Sequence, residues 1–126
     1  MKSQIMYVEL KSGHSDDGPA FIGPAFFSKT GRSVYFNGLT FQKGISDFGN
    51  YVELMTGENY WISGIKKRGT NRHWAGGGKI KIDRTVVDQY LELTNSSELS
   101  KSMFEIVDLN NVPPVDEAKE YSNQKL

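Results

Sequence analysis

Ser33-Val34-Tyr35-Phe36-Asn37-Gly38-Leu39-Thr40-Phe41-Gln42 reads as a β-hairpin on local chemistry alone. Two short runs rich in aromatic and β-branched residues flank Asn-Gly. A type I′ turn requires positive φ at both central positions, where asparagine and glycine are least penalised. The pattern recurs on either side. Upstream, Lys29-Thr30-Gly31-Arg32 joins an apolar run at residues 20–28 to Ser33. Downstream, Thr56-Gly57-Glu58 joins residues 51–54 to residues 59–63. Three consecutive hairpins form an antiparallel meander, and a meander of this size curls into a strongly bent antiparallel sheet or a small SH3-like barrel.

Outward from that centre, residues 4–10 alternate as a strand. Ile5, Tyr7 and Glu9 share one face, while Met6, Val8 and Leu10 form the other. A further strand is expected at residues 79–82. After it the texture changes: Asp83 can cap a helix whose Val86, Val87, Tyr90, Leu91 and Leu93 fall near one face. The spacing predicts that this helix, over residues 83–94, closes the barrel, and that residues 103–107 form a last strand. Beyond Pro113-Pro114 the chain is polar, so residues 1–112 are expected to form one β-rich domain and residues 113–126 a frayed tail.

Composition excludes several functional classes. The 126 residues carry 15 basic and 15 acidic side chains, for a formal net charge of zero, and no cysteine. Disulfides, thiolate metal sites and a cysteine nucleophile are therefore absent. No apolar run approaches the roughly twenty residues of a membrane span or the seven of a signal-peptide core, so a soluble cytoplasmic protein with no membrane partner is expected. Charge is nonetheless segregated. Residues 65–84 hold seven basic residues and one acid, whereas residues 85–126 hold eight acids and three bases.

The basic stretch carries the candidate binding site. Tyr60 and Trp61 precede it, and Lys66, Lys67, Arg72 and Trp74 lie within it, interleaving cations and aromatic rings along a glycine-rich loop. Such a patch suits a protein or peptide ligand; phosphates and stacked bases of single-stranded nucleic acid are the alternative. A third reading is a small enzyme with His73 as general base, Glu53 or Glu58 orienting it, and Tyr60 or Lys66 stabilising developing charge, although nothing in the spacing enforces that geometry. Gly76-Gly77-Gly78-Lys79 is not a phosphate loop, because the required glycine and Ser/Thr positions hold His73 and Ile80. His14, Asp16 and Asp17 read as a solvated turn, short of the convergent ligands a metal needs. No cofactor or metal is expected.

Taken together, Phe27-Ser28-Lys29-Thr30-Gly31, Tyr35 to Gln42, Thr56-Gly57-Glu58-Asn59-Tyr60-Trp61-Ile62-Ser63-Gly64-Ile65-Lys66-Lys67, Gly76-Gly77-Gly78 and Ile82-Asp83 resemble a family of small uncharacterised bacterial proteins. The resemblance covers roughly residues 4–93, and the Gly-Glu-x-Tyr-Trp-Ile-Ser-Gly-x-Lys-Lys core is its most specific part. Some members carry the label of a thiamine-diphosphate-dependent 1-deoxy-D-xylulose-5-phosphate synthase. Such enzymes are several times longer, and their Gly-Asp-Gly…Asn cofactor motif has no counterpart here, so the resemblance implies no catalytic residue. The expectation that follows is a bacterial, non-catalytic binding module.

Overall fold

The computed structural model describes residues 2–11, 18–44, 49–67 and 78–112. The strands are β1 (Lys2–Lys11), β2 (Ala20–Phe27), β3 (Ser33–Phe36), β4 (Leu39–Lys43), β5 (Tyr51–Glu53), β6 (Asn59–Ser63), β7 (Ile80–Asp83) and β8 (Phe104–Val107). A single 3-10 turn (Arg84–Val86) leads into helix α1 (Val87–Leu93) between β7 and β8.

The expected hairpins are present and their turns have the required geometry. Asn37 and Gly38 take φ of 50° and 76° at the β3–β4 connection, which places Phe36 opposite Leu39 and Val34 opposite Phe41. Strands β2 to β6 then continue antiparallel, neighbour to neighbour. The sheet closes because β1 pairs with β6 along one edge and with β2 along the other. The result is a mainly-β fold, a closed six-stranded antiparallel barrel with two extra strands and one C-terminal helix. The extra strands extend the sheet in parallel: β7 pairs with β2, and β8 with β7.

Two cores result. Met6, Val8, Ala25, Val34, Phe41 and Ile62 fill the barrel interior with Phe36 and Tyr51. On the outer side of β1 and β2, Ile5, Tyr7, Ile22 and Ile82 pack with Val86 and Tyr90 of the helical segment. Helix α1 therefore covers the outside of the barrel; the barrel itself is closed by β1. A short helix of this kind owes its stability to the apolar face it buries, since seven residues are too few to be helical alone. The expected tail, residues 113–126, lies outside the described residues. No described helix is long and apolar enough to cross a membrane.

Asp83, at the end of β7, ties these parts together. Its carboxylate is 1% exposed. It accepts from the Thr85 N–H at 3.2 Å and from the Thr85 hydroxyl, capping the 3-10 turn. It also accepts from the Leu109 N–H and Asn111 Nδ2, each at 2.8 Å. Burial alone would raise its pKa, but the hydrogen bonds from Thr85, Leu109 and Asn111 outweigh burial and hold it below the ordinary 3.8. A carboxyl depressed by folding contributes stability above its unfolded pKa and loses it as pH falls through the folded value. We therefore expect Asp83→Asn to cost about 2 kcal/mol at pH 7, from loss of hydrogen bonds to a charged acceptor. In urea titrations the gap between variant and wild type should narrow below pH 3.8 and close at lower pH. A gap that persists unchanged into acid would remove the carboxylate from this role.

Candidate functional site

Strand alternation separates the two aromatic residues of β6. Tyr60 faces inward, where its ring meets Phe41 edge-on at 4.8 Å and packs against the barrel core. Burial, and then the nearby Glu58 and Glu53 charges, raise the Tyr60 phenol above its ordinary value of 10.0, so it remains neutral across the physiological range. Trp61 faces outward and is 44% exposed. It lies in register with Glu9 of β1, just as Asn59 lies opposite Lys11 and Ser63 opposite Tyr7. Of the six sequence-derived binding residues, Tyr60 thus belongs to the interior because its neighbour Trp61 takes the outer position.

Lys66 and Lys67 are both exposed in the segment that leaves β6. Ile65, just before them, packs against the outer core and anchors that segment. Arg72 and Trp74, like His73 of the catalytic reading, lie outside the described residues, as do His14, Asp16 and Asp17. Of the groups expected to orient His73, Glu58 is exposed. Glu53 is buried and accepts the Met55 N–H at 2.6 Å, which stabilises the β5–β6 turn. Among the described residues no three His, Asp or Glu side chains converge in a way that would hold a metal.

Sequence reading missed the polar interior of this face. Tyr7, Glu9 and Lys11 follow one another on the outer side of β1. Glu9 is 1% exposed, yet its carboxylate accepts from the Tyr7 hydroxyl and from Lys11 Nζ, the latter at 2.7 Å. A carboxylate taken out of water persists as a charge only when paired and hydrogen-bonded. The signal was available in the i, i+2, i+4 spacing of a phenol, an acid and an ammonium on one strand face. The ion pair fixes Lys11 beside Asn59 and Trp61, so a cation and an indole flank the same stretch of the β1–β6 ladder. What this arrangement offers chemically is an exposed indole on the same outer face as the ion-paired Lys11, with exposed Lys66 and Lys67 following in the chain.

Compared with family models, curated proteins and solved structures, the chain finds no match.

Removing Lys11 takes away the counter-charge of the buried Glu9 carboxylate, so Lys11→Met should destabilise the protein by about 3 kcal/mol. Adding Glu9→Gln to that variant should recover part of the loss. A double-mutant cycle by chemical denaturation measures this directly, and purely additive effects would show the pair to be uncoupled.

Proposed function

We propose that this chain is a non-catalytic binding module that recognises an acidic protein segment or peptide through the outer face of β6 and the basic segment after it. The observation that carries the reading is Trp61. On a closed barrel the inward positions make the core, and β6 uses Tyr60 and Ile62 for that purpose. An indole 44% exposed on the opposite face is what a ligand-contacting anchor requires, because aromatic residues supply most of the energy at recognition surfaces. Exposed Lys66 and Lys67 supply the charge expected to steer an acidic partner. Arg72 and Trp74 complete the patch in sequence. The reading places the protein in the bacterial cytoplasm, and the family resemblance adds no ligand to it.

The alternative is single-stranded nucleic acid, which the same indole and lysines also suit. The two readings separate by titration. Trp61 fluorescence in a Trp74→Phe background should be quenched by acidic peptides, and Lys66→Ala with Lys67→Ala should weaken that binding at least tenfold while leaving the barrel folded. Oligodeoxythymidine binding that instead falls steeply and linearly in a log–log salt plot would transfer the site to nucleic acid. Peptide binding unaltered by Trp61→Ala would show that the indole is not part of the site.

A further inference from the structure

The segment after β8, residues 108–112, crosses the end of the barrel as an irregular strap. Its side chains occupy space left by two glycines. A Cβ at Gly23 would lie 2.9 Å from Leu109 Cδ1 and 3.2 Å from Phe36 Cε2. A Cβ at Gly38 would lie 2.9 Å from Asn110 Nδ2. Leu109 is thus seated over Gly23 and Phe36, and Asn110 over the β3–β4 turn. Gly38 is already required by the turn's positive φ, whereas Gly23 lies within β2 and is needed for close approach.

The strap is held in the manner of a bound peptide. Among the described residues it makes no backbone–backbone hydrogen bond; its N–H groups use side-chain acceptors. Leu109 N–H donates to Asp83 Oδ1 and Asn110 N–H to Asn37 Oδ1, both at 2.8 Å. The amide of Asn111 donates to Asp83 Oδ2, but its own Oδ1 is buried without a partner. A buried acceptor left unpaired lowers the cost of lifting the segment off, because release returns that oxygen to water. Beside the strap lies a pocket of about 120 Å³ bordered by Phe26, Tyr35, Leu39, Asn110 and Val112. Val112 itself is 76% exposed.

We infer that the barrel end is a peptide-binding socket occupied in cis by Leu109-Asn110-Asn111, and that it accepts in trans an extended peptide presenting a leucine followed by asparagine. Gly23 and Phe36 receive the leucine, Gly38 and Asn37 receive the first asparagine, and Asp83 takes the peptide N–H and the second amide. This site is separate from the Trp61 face and does not depend on it.

The test uses the full chain and a capped synthetic peptide of residues 107–112. In unmodified protein, hydrogen exchange at the Leu109 and Asn110 amides should be at least tenfold faster than at the barrel amides of Lys43 and Leu54, which bond to backbone carbonyls. In Leu109→Ala, the added peptide should shift the NMR resonances of Gly23, Phe36 and Gly38, and a peptide with alanine for leucine should not. Strap amides that exchange in step with the barrel would overturn the proposal, as would a folded variant whose resonances ignore the peptide. Asn110→Ala, which vacates only the Gly38 seat, is read in the same way if Leu109→Ala does not fold.

Discussion

The whole structure depends on β1 being buried on both faces. From Ile5 to Glu9 every residue is buried, which is unusual for an antiparallel strand and follows from its position between two cores. Met6 and Val8 point into the barrel; Ile5 and Tyr7 point out, under the helical segment and β7. Its two edges close the barrel through β2 and β6. Strand β2 shares this role, with Ala20 and Ile22 in the outer core and Ala25 in the barrel interior, but only β1 joins β2 to β6. The price of this position is Glu9, a carboxylate that the outer face must neutralise with Lys11 and Tyr7.

Strand β2 extends that role by dividing its second edge. Phe26 and Phe27 pair with β3, whereas Phe21 and Ile22 pair with β7. Residues 23–25 between them have no ladder partner on that edge, and Pro24, which has no N–H to offer, falls in this gap. The branch allows a meander barrel to carry a parallel extension. The extension in turn delivers Asp83 to the point where the capped turn and the strap across the barrel end both need an acceptor.

The barrel was legible because its turns are local. Asn37-Gly38, Gly31 and Gly57 all take the positive φ that their sequence context implied, and the hairpins follow from those turns. The helix cap at Asp83 was legible for the same reason. Partner choice was not. Ile80-Lys81-Ile82-Asp83 shows a strand's alternation, but nothing in four residues states that it will lie parallel to β2. Nor could Asp83 be read as a hub, since two of its donors come from Leu109 and Asn111, 26 and 28 residues further along. For the candidate surface, alternation guarantees that Tyr60 and Trp61 face opposite ways. Which one faces out depends on the register against β1, a tertiary fact. The burial of Glu9 and Glu53 was not legible either, because composition says nothing of which acids a fold encloses; here each is met by a neighbour that hydrogen-bonds to it.

If one strand carries both cores, they cannot melt independently. Urea titration followed by methyl NMR reports each core separately: Ile22 and Ile82 for the outer one, Val34 and Ile62 for the barrel interior. The account predicts one midpoint shared by all four signals. Loss of Ile22 and Ile82 at a distinctly lower urea concentration, with Val34 and Ile62 still native, would contradict it.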